Sequence, residues 1–175
     1  LTTRAGFVAL IGAPNAGKST LMNYIVGAKV SIVTPKVQTT RSRIRGIAMS
    51  GESQIIFVDT PGIFKPKRRL DRAMVHAAWQ GTDEADLTLL LHDSARNSLD
   101  EETEAIIKQV IKIKEEFPHR KFALILNKID LTKPENLLGR ASQLTQMLEF
   151  EKIFMISAEK GKGVKDLVKW LAEQM

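Results

Sequence analysis

The residues best equipped for chemistry are Gly12-Ala13-Pro14-Asn15-Ala16-Gly17-Lys18-Ser19-Thr20. Two glycines let a loop turn its backbone N–H groups inward, and a lysine and a hydroxyl follow at once. That is the set which cradles a polyphosphate. Lys18 is placed to bridge β- and γ-phosphates, and the Ser19 hydroxyl to hold Mg²⁺. An apolar run, Phe7–Ile11, precedes the loop and a helix-like segment, Thr20–Val26, follows it. A helix starting there would add the positive end of its dipole. A chance loop between strand and helix would account for the glycines but not for the Lys-Ser pair as well. The pattern implies a nucleoside triphosphate as ligand.

The base is addressed by Asn127-Lys128-Ile129-Asp130, after the apolar run Phe122–Leu126. A carboxylate at Asp130 offers two acceptors, matching guanine's ring N–H and exocyclic amine; against adenine it would face a ring-nitrogen lone pair. Asn127 can meet the N7/O6 side of a purine and brace the phosphate loop, and the Lys128 stem can lie over the ring. On its own such a tetrapeptide recurs as an ordinary surface turn, but a phosphate loop more than a hundred residues upstream changes its meaning. Ser157-Ala158, after Ile153–Ile156, fits a loop whose backbone N–H meets guanine O6.

Two more segments complete the set. Asp59-Thr60-Pro61-Gly62-Ile63 closes the run Ile55–Val58, so that Asp59 could hold Mg²⁺ through water and the Gly62 N–H could reach the γ-phosphate. In Gln38-Thr39-Thr40-Arg41 one threonine could complete the Mg²⁺ shell; Thr40 is favoured over Thr39 because it is nearer the following strand. Otherwise these would be a Pro-Gly turn and a polar loop.

These loops need a frame of alternating elements. Strands are expected near 6–12, 42–50, 53–59, 86–92, 121–127 and 152–157, and helices near 17–27, 71–83, 99–117, 134–148 and 163–174. Gly51-Glu52 reads as a hairpin turn, making the second and third strands antiparallel. The other strands alternate with helices and should be parallel, with right-handed crossovers. The fold class is α/β: a six-stranded, mostly parallel mixed sheet flanked by about five helices. Ser98 and Glu101 form a capping box ahead of the stripe Ile106, Ile107, Val110 and Ile113. Val164, Leu167, Val168 and Leu171 repeat that period in the last helix. The motifs all end strands, so they should converge on one sheet edge.

A chain of 175 residues suits one domain over 1–175. It has no cysteine, which excludes disulfides and thiol chemistry, and its three histidines (His76, His92, His119) lack metal-ligand spacing. No apolar run approaches the ~18 residues of a spanning helix, and Leu1-Thr2-Thr3-Arg4 lacks the core of a signal peptide. A soluble cytoplasmic protein with no stable oligomer is expected. The net charge of +6 is uneven: residues 1–72 carry 12 Lys and Arg against 3 Asp and Glu, and 73–175 carry 14 against 17. Lys65, Lys67, Arg68, Arg69 and Arg72 exceed what a nucleotide can use, and those of Lys65–Arg69 are either solvated loop charge or an RNA or ribosome contact. No aromatic is interleaved with them for base stacking.

Together the phosphate loop, Ser31-Ile32-Val33-Thr34-Pro35-Lys36-Val37-Gln38-Thr39-Thr40-Arg41, Asp59–Ile63, Asn127–Asp130 and Ser157-Ala158 resemble the GTPase domain of Era-type proteins. These are relatives of the tRNA-modification and tandem-domain GTPases. The resemblance covers essentially the whole chain and implies a GTP-hydrolysing switch acting in assembly of the small ribosomal subunit. It implies GTP, GDP and rRNA as partners, and peripheral membrane association. Era-type proteins continue into a KH RNA-binding domain, which these 175 residues do not contain.

Expected catalytic contributors are Lys18, Thr40, Gly62 and Asn15. Where signalling GTPases place a water-orienting glutamine this chain has Ile63, and no arginine is obviously placed as a finger worth ~10³–10⁵ in rate. Slow intrinsic turnover follows. In related GTPases an asparagine at the place of Asn15 ligates K⁺; by itself Asn15 is also a good turn-former. The rival readings are a GTPase domain of the sister proteins, or a guanine-nucleotide-binding scaffold with negligible hydrolysis.

Overall fold

Six apolar runs form the six strands of one sheet in the computed structural model: β1 (Arg4–Gly12), β2 (Arg43–Ser50), β3 (Ser53–Asp59), β4 (Leu87–Asp93), β5 (Phe122–Asn127) and β6 (Ile153–Met155). The structure describes residues 4–13, 16–26, 43–59, 85–96, 99 and 101–175, with backbone alone for 43–45 and 59. Strand order is β2-β3-β1-β4-β5-β6. β2 and β3 are antiparallel across the turn at Gly51, whose φ of 59° suits glycine; the other four pairings are parallel. The expected mixed sheet and its hairpin are present.

Four helices lie among the described residues: α1 (Lys18–Val26), α2 (Glu101–Glu116), α3 (Pro134–Met147) and α4 (Val164–Gln174). The expected helix over 71–83 and the Ser98 half of the capping box lie outside them. Successive side chains along a strand face opposite ways, which sorts the core into layers. Val8, Leu10, Phe57 and Leu89 pack with Leu21 and Met22 of α1 and Leu167 and Leu171 of α4. Leu90, Phe122, Leu124 and Leu126 pack with Ile106, Val110 and Ile113 of α2 and Leu144 of α3. Because β5 is covered on both faces, all six of its residues are buried, as expected of a central parallel strand. Each fully buried aliphatic side chain contributes about 1.5–3 kcal/mol, so Val110→Asp would break the α2 layer first.

β6 is a correction. It was expected over 152–157 but ends at Met155. Ser157 folds back instead, its N–H donating to the Lys162 carbonyl at 3.0 Å in an isolated antiparallel bridge. The local chain closes on itself there rather than lengthening the sheet edge.

Strand register brings the motif-bearing ends together. Leu10 pairs with Asp59, Gly12 with Leu91, and Asp93 with Asn127. The phosphate loop, the end of β3 and the Asn127 turn therefore share one edge.

Candidate nucleotide-binding site

β1 ends at Gly12, where a Cβ would lie 2.6 Å from the Leu91 carbonyl oxygen, so only glycine allows β1 to close on β4 there. The Ala16 N–H donates to the Ala13 carbonyl at 3.1 Å, and Gly17 turns the chain with φ 104° into α1. Lys18 opens that helix, with Ser19 and Thr20 exposed in its first turn. The first N–H groups of a helix have no intrahelical partner, so this end presents donors together with the lysine and the hydroxyls. Pro14 and Asn15 lie outside the described residues.

Asn127 is the hub. It is 2% exposed, and its Nδ2 donates to the Ala16 carbonyl at 2.9 Å while its Oδ1 accepts the Ala158 N–H at 2.9 Å. One side chain thus ties the phosphate loop to the Ser157-Ala158 loop across 111 and 31 residues of sequence. Gly17 packs on the same amide: a Cβ there would fall 2.2 Å from Asn127 Nδ2. Asn127 thus contacts the phosphate loop through both its amide and the glycine packed on it. The Ala158 N–H is spent on Asn127, so it could meet a guanine O6 only as a shared donor.

The turn after Asn127 is shaped by two residues at the end of β4. Lys128 adopts the left-handed region at φ 65°, ψ 37°, and is the one non-glycine with positive φ among the described residues. Its Nζ donates to Asp93 Oδ2 at 3.0 Å. The Ser94 hydroxyl donates to the Asn127 carbonyl, which also takes the Ser94 N–H at 3.0 Å. Ser94 Oγ lies 3.1 Å from Thr132 Oγ1, and that hydroxyl reaches the Lys128 carbonyl at 2.9 Å. Two hydroxyl protons cannot fill three contacts at once, so at any instant one contact lacks a proton of its own. Asp130 sits in the short 3₁₀ turn Ile129–Leu131, exposed, with no hydrogen bond or ion pair among the described residues. Its carboxylate is open to a ligand.

Behind the turn Arg140 of α3 is buried and donates to His92 Nε2 at 2.6 Å and to the Arg96 carbonyl at 2.7 Å. His92 must accept through Nε2, because a guanidinium has no lone pair to give. Its ring is buried behind the turn, engaged by Arg140.

Asp59 ends β3 beside Leu10, at the same edge as Ser19. A hydroxyl and a carboxylate are hard oxygen donors of the kind Mg²⁺ selects, so the residues present fit that ion. Thr40, Thr60, Pro61, Gly62 and Ile63 lie outside the described residues. Asp93, Ser94 and Thr132 had not been expected at the site. For Asp93 and Ser94 the sequence signal is the abrupt change from the apolar Leu89-Leu90-Leu91 to His92-Asp93-Ser94; Thr132 has none.

Residues 7–128 match the model of a family described as 50S ribosome-binding GTPase. The chain belongs to that family. Within it, the chain is similar to GTPase Era of Brucella suis, 53% identical over 173 residues, and to GTPase Era of Dinoroseobacter shibae, 56% identical over 173 residues. Both matches cover 99% of this chain and 54% and 55% of the relatives, so the chain spans about half the length of the curated relatives it matches. An Aquifex aeolicus Era variant solved with GDP·AlF₄⁻ superposes with a TM-score of 0.74 at 37% identity, covering 98% of this chain and 57% of that one. Era solved with MgGDPNP and a segment of 16S ribosomal RNA gives a TM-score of 0.75 at 37% identity, with 99% and 57% covered. The family match ends at Lys128, one residue past the hub. Among the described residues, no helix is long and apolar enough to cross a membrane.

Proposed function

We propose that this chain binds guanine nucleotides with Mg²⁺ and hydrolyses GTP slowly, as the switch domain of an Era-type protein in the cytoplasm. The observation that carries the reading is Asn127. A buried amide bonded to both Ala16 and Ala158 joins the phosphate loop to the base-recognition loops at one sheet edge. In this reading Gly12–Thr20 wrap the phosphates, Lys18 binds the β- and γ-oxygens, and Asp130 grips the base edge. Ser19, Asp59 and Thr40 hold Mg²⁺, which when bound supplies charge against the phosphate oxygens. The Gly62 N–H takes the γ-phosphate. Ile63 can neither donate nor accept a hydrogen bond, which keeps the intrinsic rate low. Potassium at Asn15 belongs to the proposal on the sequence alone.

The small ribosomal subunit is the proposed partner. The family description names 50S but rests on the core shared over residues 7–128, whereas a 37% identical Era was solved with 16S rRNA, a small-subunit RNA. Peripheral membrane association belongs to the proposal through the resemblance to Era-type proteins alone. The test is single-turnover hydrolysis of GTP with Mg²⁺, following phosphate release. Slow release that vanishes in Lys18→Ala is expected. Tight GTP binding with no phosphate release in any monovalent salt would reduce the domain to a binding scaffold.

A further inference from the structure

We propose that Asp93, at the end of β4, is a positioning residue for guanine selectivity: through Lys128 it holds the turn from which Asp130 reaches the base. The proposal rests on the guanine-site reading above.

The contact is oriented at both ends. Asp93 Oδ1 accepts the Ala95 N–H at 2.9 Å, two residues on, which is the geometry of an Asx turn. That bond fixes the carboxylate and aims Oδ2 at Lys128 Nζ, 3.0 Å away. The second cation near it, Arg96 Nε, is 3.9 Å from Oδ2 and is a weak competitor. The Asp93 carboxylate is nearly buried and the Lys128 ammonium about one-third exposed, so water screens the pair only partly.

The held backbone is an unfavourable one. Lys128 has a left-handed conformation that L residues rarely adopt, because Cβ crowds the following carbonyl oxygen. Such a conformation persists only where its surroundings over-determine it. Among the bonds that hold it are Asp93 on the Lys128 side chain, the Thr132 hydroxyl and the Leu131 N–H on the Lys128 carbonyl, and Ser94 on the carbonyl just before it. Asp93 contributes a charged tether. Since Lys128 lies between Asn127 and Asp130, its φ and ψ set the angle between the hub and the base-recognition carboxylate. If the turn relaxes, Asp130 loses the two-point geometry that separates guanine from a purine lacking the exocyclic amine.

The test uses Asp93→Asn, which keeps the shape and the acceptor for the Ala95 N–H while removing the charge. Affinities for GDP and for inosine diphosphate, which lacks the amine, are measured by displacement of a fluorescent GDP, together with the thermal midpoint of the nucleotide-free protein. Weakened GDP binding by about threefold to tenfold is expected, with inosine diphosphate changed by less than twofold. Asp93→Glu should restore part of the difference. A GDP-to-inosine-diphosphate ratio equal to wild type in Asp93→Asn overturns the proposal, as does an equal loss for both nucleotides. Asp130→Asn run alongside separates the two claims. If it weakens GDP while Asp93→Asn leaves the ratio unchanged, only the positioning role fails. If Asp130→Asn also binds GDP normally, the base-site reading fails with it.

Discussion

Asn127→Ala isolates the contact on which the site is built. The side chain is 2% exposed and makes two hydrogen bonds of 2.9 Å, one to the Ala16 carbonyl and one from the Ala158 N–H. Truncation strands both backbone partners. A buried polar group left without its partner costs about 1–3 kcal/mol, so the two together cost about 2–6 kcal/mol. Water entering from the adjoining nucleotide site would satisfy part of that loss, which brings the expected value to about 3 kcal/mol. Domains of this kind hold about 5–15 kcal/mol in all. The variant should therefore fold but sit near its limit, with a thermal midpoint lower by about 6–12 °C at this chain length. Urea denaturation of the nucleotide-free protein gives the energy directly, with exposed Asn136→Ala as a control expected within about 0.5 kcal/mol of wild type. Saturating GDP should recover stability less well than in wild type, because the loops it would join are no longer tied. A loss below about 1 kcal/mol with unchanged GDP affinity would show that the two bonds do not brace the site.

Two further outcomes rest on the same geometry, and a third on the sequence of the phosphate loop. Asp130→Asn should weaken GTP and improve xanthosine triphosphate binding, since the amide replaces one acceptor by a donor; equal affinities of wild type and variant for both nucleotides would contradict this. Gly17→Ala should cost more than Gly51→Ala in a urea titration: both have positive φ, but a Cβ at Gly17 meets Asn127 Nδ2 at 2.2 Å and one at Gly51 meets nothing within 4 Å. Equal losses would remove the steric argument. K⁺ should accelerate GTP hydrolysis over Na⁺ at equal ionic strength, and Asn15→Ala should abolish that difference while sparing GDP binding; identical rates in both salts would exclude it.

Much of this arrangement is legible in the chain itself because its decisive residues sit in contiguous runs at strand ends. Gly12–Ser19 and Asn127–Asp130 carry their chemistry in adjacent positions, and the apolar runs before them fix where they stand. Asp93 and Ser94 are not legible in the sequence for the opposite reason. They act on residues 33 and 35 positions away, through the β4–β5 register that pairs Asp93 with Asn127, and spacing does not reveal a register. Arg140 was hidden because a charged residue in an amphipathic helix is expected to face water, whereas here it is buried against His92. The apolar run through Ile156 suggests a longer β6 than the Ile153–Met155 observed, because Ser157 turns back to Lys162 and the strand does not continue past it.

The central claim is that one sheet edge binds a guanine nucleotide through Asp130 and phosphates through Gly12–Thr20. Displacement of a fluorescent GDP by GTP and by ATP, with Mg²⁺ present, tests it most directly. Rejection by unmatched buried hydrogen-bonding groups reaches ~10⁴–10⁵, so GTP should displace the probe at concentrations at least ~10³ lower than ATP. ATP displacing it as well as GTP, in folded protein, would contradict the account.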